Sequence, residues 1–250
     1  MKAMILAAGL GTRLKPMTDE MPKALVPVVG IPMIEHIILK IKKAGFTHIV
    51  INIHHFGEQI IDFLASKNNF GLTIDISDER DYLLDTGGGI KKANRFLNGN
   101  EPFLVHNVDM FTNVDLTAIY RSHIQSNALA TLAVSDHWRH RQLLFNKEEQ
   151  LRGWQNLVSG EVKSFIPDID PSNHTKYAFG GIHVISPEIF RLMEEWTGKF
   201  SIINFYLSIC PFHPVRLYTE ESIRLIDAGT IQGIDEVELL YRHCEGRSNP

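Results

Sequence analysis

A chain of 250 residues is long enough for one large α/β domain or two small ones. Its 44% hydrophobic and 22% charged residues are ordinary for a globular protein, and a net charge of −4 leaves no basic footprint for nucleic acid. The two cysteines, Cys210 and Cys244, form no disulfide framework, and no run approaches the roughly 18 apolar residues of a membrane span, so a cytoplasmic protein with no nucleic-acid or membrane partner is expected.

The chain opens on Lys2-Ala3-Met4-Ile5-Leu6, a short apolar run that predicts a buried strand and is too short for a secretory leader. It feeds at once into Ala7-Ala8-Gly9-Leu10-Gly11-Thr12-Arg13-Leu14-Lys15-Pro16. Two glycines one residue apart leave backbone N–H groups unobstructed and allow positive φ, so a polyanion can approach closely. Thr12 adds a hydroxyl, and Arg13 adds a planar fork suited to phosphate oxygens. Lys23, between Pro22 and an apolar run, adds a second cation at a fixed position. This is the chemistry of a triphosphate cradle. It is not the dinucleotide fingerprint, which has a third glycine where Leu14 stands, nor the Gly-Lys-Ser/Thr loop.

Helical spacing over Pro32 to Ala44, a strand at His48 to Ile53, a helix at Glu58 to Ala65, a strand at Leu72 to Ile76 and another at Phe103 to Val105 follow in turn. Strands alternating with helices predict a parallel, doubly wound sheet covered on both faces, with ligands at the carboxyl ends of the strands. Two stretches with chemical content fall there. Asp85-Thr86-Gly87-Gly88-Gly89 offers free N–H groups at a helix start, and His106-Asn107-Val108-Asp109 carries a carboxylate at a strand end.

The second half reads as short strands at Leu129 to Val134, Leu143 to Asn146 and Gln150 to Trp154, then a loop from Phe165 to Lys176. A strand at Tyr177 to Ile185, helices at Pro187 to Glu195 and Ser201 to Ile209, and strands at Val215 to Tyr218 and Ile223 to Ile226 complete it. Thr230 to Tyr241 is a last helix, and Glu245 to Pro250 a frayed tail on a single domain spanning 1–244. Asp227 closes a strand, and Gly229-Thr230 opens that helix. His54 and His55 are adjacent in or beside a strand, so they would face opposite sides and suit a structural role. His137, Trp138 and His140 lie in a polar turn and are assigned none.

Gly-x-Gly-Thr-Arg-Leu-x-Pro-x-Thr from Gly9, followed by Pro22-Lys23-Ala24-Leu25-Val26-Pro27, resembles the signature of the sugar-1-phosphate nucleotidyltransferases. The resemblance implies a Rossmann-like three-layer α/β/α fold with a mostly parallel sheet. It implies a nucleoside triphosphate and a sugar 1-phosphate as substrates, Mg²⁺ as cofactor, and a monomer or homodimer. It assigns Ala7, Ala8, Gly9, Gly11, Thr12, Arg13 and Lys23 to the nucleotide and its phosphates, with Arg13, Lys23 and Asp109 as the catalytic set. Gly87 and Gly88 fall on the family's nucleobase element, and Asp109 and Asp227 on its two metal ligands. Gly181 lies on a strand similar to one lining the family's sugar pocket, and Asn156 is a further candidate for the sugar, beside a Trp154 that serves either the sugar or the core.

Three departures stand out. Val108 replaces a glycine and Leu225 an aromatic residue beside the two aspartates, and Val162 to Pro167 lacks the family's Glu-Lys pair, with Lys163 read as a solvated side chain. The compact length is similar to the branch holding N-acetylmuramic acid 1-phosphate uridylyltransferase and mannose-1-phosphate guanylyltransferase-like proteins. The Thr-Gly-Gly-Gly run tilts the resemblance toward the former. A catalytically silent nucleotide- or sugar-phosphate-binding subunit, and a phosphocholine cytidylyltransferase with an aromatic cage, stay open beside it.

Overall fold

The computed structural model of the chain describes residues 1–136 and 140–245, the side chains of Cys244 and Glu245 excepted. His137, Trp138, the thiol of Cys244 and the tail beyond Glu245 lie outside the described residues.

Strand β1 (Lys2–Leu6) leads through three 3-10 turns to a small hairpin, β2 (Pro27–Val28) and β3 (Ile31–Pro32), and then to α1 (Met33–Lys43). Next come β4 (His48–Ile53), α2 (Gly57–Ser66), β5 (Thr73–Asp78), α3 (Asp85–Lys92) and α4 (Asn94–Leu97). They are followed by β6 (Phe103–Asn107), β7 (Met110–Thr112), α5 (Leu116–Ser126) and β8 (Ala130–Ser135). Then β9 (Arg141–Phe145), β10 (Leu151–Asn156), β11 (Val162–Lys163) and the long β12 (Thr175–Ile185) build the second half of the sheet. The chain ends with α6 (Ile189–Leu192), α7 (Ile202–Ile209), β13 (Val215–Tyr218), β14 (Leu225–Asp227) and α8 (Ile231–Glu245).

The main sheet runs β11-β10-β9-β12-β6-β1-β4-β5, with β8 on β12 and β13 on β8. Its parallel core is β6-β1-β4-β5, and β12 joins that core antiparallel to β6. Side chains alternate between two apolar layers, as strand geometry requires. Ala3 and Ile5 of β1 enter the core under α1, α2 and α5, while Met4 enters the core under α3, α6 and α7. The three-layer α/β/α architecture follows. Among the described residues no helix is long and apolar enough to cross a membrane.

Several boundaries differ from expectation. The helix expected over Pro187 to Glu195 is only Ile189–Leu192. Helix α5 has no counterpart in the sequence reading; Asp115 caps it by accepting from the Thr117 and Ala118 amides at 2.8 and 3.1 Å. Helix α8 extends to Glu245, the first residue of the expected tail. Strand β14 is not part of the main sheet at all: it pairs antiparallel with β7 in a separate two-stranded ribbon.

Candidate active site

The glycine loop leaves β1 where a buried polar chain holds it. Asn52 of β4, paired in register with Leu6, accepts from the Ala7 and Ala8 amides at 2.6 and 3.3 Å through Oδ1. Its Nδ2 donates to Glu79 Oε1 at 2.7 Å, and Glu79 Oε2 accepts from the Leu84 amide at 3.0 Å. Glu79 is fully buried, and burial pushes its carboxyl pKa up against the opposing hydrogen bonds. Sequence reasoning missed both residues. The available signal was a polar Asn near the carboxyl end of an apolar strand, where this fold class places ligands. Ala7 and Ala8 therefore do not offer bare amides. Gly9, Leu10 and Gly11 do, having no amide acceptor among the described residues.

Gly11 sits at φ 65°, and a Cβ there would lie 2.8 Å from Thr18 Cγ2 and 3.0 Å from Lys23 Cβ. Only glycine allows the loop to close this tightly on the turn carrying Lys23. Thr18 Oγ1 donates to Gly11 O at 2.9 Å and locks the arrangement.

Lys23 is ion-paired with Asp109, in the turn between β6 and β7. Arg13 donates to Asp227 Oδ2 at 3.0 Å and Oδ1 at 3.4 Å. Burial raises the pKa of Asp227, but the hydrogen bond and charge of Arg13 outweigh it and hold the carboxyl below its ordinary range. The two half-sites meet at Gly229. A Cβ there would lie 2.6 Å from Asp109 Oδ2, 2.6 Å from Lys23 Nζ and 2.8 Å from Asp227 Oδ1. The carboxylate oxygens are thus no farther apart than the sum of those two distances. The route is not the one expected. Asp227 reaches Asp109 through the β7–β14 ribbon, where it pairs with Met110, rather than along the rim of a parallel sheet. Ala228 N donates to Asp109 O at 2.9 Å and closes the junction.

Two hard carboxylate oxygens facing one space match the donor set of Mg²⁺, which takes one or two carboxylates and completes its shell with water and phosphate oxygens. Among the described residues no group of three or more His, Cys, Asp or Glu side chains gathers as a metal site.

Gly87 and Gly88 stand at the start of a helix, α3, as the sequence suggested. Their amides are not free; both donate to Phe200 O, at 2.9 and 3.2 Å. A Cβ on Gly87 would strike the Phe200 ring at 2.4 Å, and one on Gly88 would lie 2.7 Å from Gly198 O. These glycines let α3 pack against the segment before α7. The cleft wall at that point is Asp85 and Thr86.

The cleft has three connected compartments. The first, about 400 Å³, is walled by the glycine loop, Lys23, Asn52 and Glu79. The second, about 320 Å³, holds Arg13, Asp109, Asp227, Gly181 and His183, and shares Asn107, Asp109 and Thr86 with the first. The third, about 410 Å³, holds Arg141, Trp154, Asn156 and Lys163, and shares Phe179, Ser201 and Ile203 with the second. Gly181, at φ 72°, is pressed against the Asn107 side chain, so it shapes the middle compartment by leaving room for that amide. Asn156 lines the third, but its Oδ1 already accepts from the Val158 and Ser159 amides. Lys163 is not simply solvated: its Nζ lies 5.0 Å over the Trp154 ring. His183 was also missed; Tyr206 Oη pairs with its Nδ1 at 2.8 Å.

Both residues beside the aspartates pack into the core, and Val108 also borders the glycine-loop compartment. Val108 is 2% exposed, belongs to the main core and donates its amide to Leu6 O at 3.1 Å. Leu225 is buried against Gly180. His54 pairs with Glu79 O at 2.7 Å, a structural role as expected.

A doubly wound sheet with a glycine loop, two cations and Asp109 at its carboxyl edge, and Asp227 brought beside them by the β7–β14 ribbon, defines a nucleotide-binding α/β protein built to handle phosphates. The sequence profile of the nucleotidyl transferase family matches residues 2–143, and the chain belongs to that family. It is 37% identical to the N-acetylmuramate alpha-1-phosphate uridylyltransferase of Neisseria meningitidis serogroup B over 194 residues, covering 78% of this chain and 79% of that one. It is 45% identical to the protein of the same name from Caulobacter vibrioides over 209 residues, 82% of each. Among solved structures, HddC from Yersinia pseudotuberculosis complexed with GMP-PN superposes with a TM-score of 0.76 at 22% identity, over 96% of this chain and 99% of that one; this likeness concerns the fold.

Proposed function

We propose that the chain transfers a nucleoside monophosphate, UMP in preference, from its triphosphate to a sugar 1-phosphate, releasing pyrophosphate. N-acetylmuramic acid 1-phosphate is the preferred acceptor. The observation that carries the reading is the convergence of Arg13, Lys23, Asp109 and Asp227 on Gly229, between the glycine-loop compartment and the compartment under β9–β11. The choice of base and sugar rests on the two uridylyltransferase relatives.

The acceptor phosphate oxygen is already anionic, so no general base is needed. It attacks the α-phosphorus; the new O–P bond forms as the bond to the bridging oxygen breaks, and pyrophosphate leaves with the electron pair. Arg13 and the amides of Gly9 to Gly11 hold the triphosphate and the departing pyrophosphate, while Lys23, nearly enclosed beside Asp109, meets the charge at the α-phosphate. Asp109 and Asp227 would hold Mg²⁺, which when bound neutralises phosphate charge.

Operation in a reducing cytoplasm, as a monomer or homodimer, belongs to the same proposal; the buried free thiol of Cys210 suits it. Against the silent-subunit reading stands the retention of Arg13, Lys23, Asp109 and Asp227 in one cluster. The phosphocholine reading also weakens: Trp154 and Phe179 do share a compartment, but Arg141 stands there too, and with Lys163 paired to Glu161 the balance of charge is positive and repels a quaternary ammonium.

A matrix of triphosphates against sugar 1-phosphates, read by pyrophosphate release, tests the proposal. Turnover with UTP and N-acetylmuramic acid 1-phosphate is expected. Turnover confined to GTP and mannose 1-phosphate would replace the substrates, and silence throughout with nucleotide binding intact would overturn transfer itself.

A further inference from the structure

The third compartment carries chemistry that a neutral sugar does not need. Its floor is one face of the β9-β10-β11 meander. Strand register sets Arg141 opposite Asn156, and Leu143 and Lys163 on either side of Trp154. Alternate residues of a strand share a face, so Arg141, Asn156, Trp154 and Lys163 fall on the same side. All four line the compartment, with Ser201 and Asn204 from the start of α7 across from them. Phe179 and Ser201 also line the middle compartment, so a ligand with its phosphate beside Arg13 and Asp227 can extend over Phe179 onto this floor.

The charges there are uneven. Lys163 pairs with Glu161 at 3.3 Å, and Glu161 lines the same wall. The Arg141 guanidinium has no acceptor among the described residues. A planar, always-charged fork at the mouth of a compartment with an aromatic platform suits a bidentate anion carried on a ring.

We propose that this compartment reads a carboxylate-bearing substituent on the acceptor sugar 1-phosphate, with Arg141 as its anion partner, Lys163 as a weaker second one and Trp154 as the platform under the sugar ring. The inference rests on the transferase reading above and deepens it. It makes Arg141 and Lys163 specificity-determining residues, and a sugar acid the favoured acceptor over its neutral counterpart.

The test compares kcat/KM, with UTP, for two acceptors that differ only in the 3-O-lactyl group carrying the carboxylate, N-acetylmuramic acid 1-phosphate and N-acetylglucosamine 1-phosphate. The wild type is expected to favour the acid by tenfold or more. Arg141→Gln is expected to lower that ratio at least tenfold, chiefly through KM for the acid, and Lys163→Gln to lower it several-fold. Equal use of both acceptors, or a ratio unchanged in both variants, overturns the proposal while leaving the transferase reading intact. No turnover with either acceptor defeats the transferase reading. Calorimetric titration of the same two sugar phosphates then decides: preference for the acid, lost in Arg141→Gln, sustains the proposal, and equal affinities in the wild type overturn it.

Discussion

Lys23 and Asp109 form an ion pair across the cleft with only 12% and 13% of their side chains exposed, whereas Arg13, which pairs with Asp227, is 55% exposed. The two half-sites therefore differ in what their loss does to the fold. Asp109→Asn leaves a nearly enclosed ammonium without its countercharge, which costs about 1–3 kcal/mol. Asp227→Asn releases an arginine that water can solvate. Both substitutions are expected to lower turnover roughly a hundredfold or more, but only Asp109→Asn should lower the thermal midpoint clearly. The double variant should be little slower than either single one, because both carboxylates serve one site. Steady-state rates beside calorimetric melting check this; additive losses in rate would separate the two aspartates.

Arg13→Ala should reduce turnover far more than it weakens nucleotide binding, since the charge Arg13 meets grows as pyrophosphate departs. Arg13→Lys should recover only part of the rate, because a point charge replaces a bidentate fork. Single-turnover rates and equilibrium nucleotide binding, measured together, test the split. A normal rate in Arg13→Ala would remove the residue from the phosphate clamp.

Asn52→Leu should loosen the glycine loop. It strips the Ala7 and Ala8 amides of their acceptor and leaves Oε1 of the fully buried Glu79 without its donor. The stability loss is expected at about 2–4 kcal/mol, more than one unsatisfied group alone would cause, with weaker triphosphate binding in the folded fraction. Denaturant titration and a nucleotide-binding isotherm suffice, and wild-type values in both would show that the polar chain is dispensable.

Gly88→Val is expected to destabilise the protein rather than to weaken binding selectively. Its Cβ would fall 2.7 Å from Gly198 O and 2.9 Å from Leu84 Cβ, backbone and stem atoms that cannot turn aside. Overpacking of this kind costs about 1–3 kcal/mol, or several degrees in a chain of this size. A folded variant with an unchanged melting point and impaired nucleotide binding would restore the nucleobase assignment of this glycine.

The protein should lose stability steeply on acidification. Burial pulls His106 and His123 down to about 4, and burial together with neighbouring His106 pulls His183 down to about 3. In the unfolded chain these imidazoles titrate near 6.5. Between that pH and about 4 the unfolded state therefore binds more protons than the folded one, so stability falls as pH falls and is regained as pH rises. Melting midpoints measured from pH 7.5 to 4.5 should drop most below pH 6.5. His123→Asn, placed between Thr131 and Ser186, should flatten part of the slope, and an unchanged slope would mean that His123 is charged in the fold.

The sequence by itself determined the parallel core, the glycine loop and the identity of the four charged residues. Those features are local: apolar period, glycine spacing and a cation beside a proline are written in contiguous residues. It misjudged what local pattern does not contain. Gly87-Gly88-Gly89 has the look of an open anion cradle, yet its first two amides are taken by Phe200, which only the packing of α3 against the segment before α7 brings within reach. Asn52 and Glu79 are unremarkable in their strings and become a clamp only when β4 and β5 pair in parallel. The decisive pairings, Lys23 with Asp109 and Arg13 with Asp227, join residues 86 and 214 positions apart. Tertiary structure alone decided them, because electrostatic complementarity acts over a few ångströms: β6 pairing with β1 brings Asp109 beside the loop, and the β7–β14 ribbon brings Asp227.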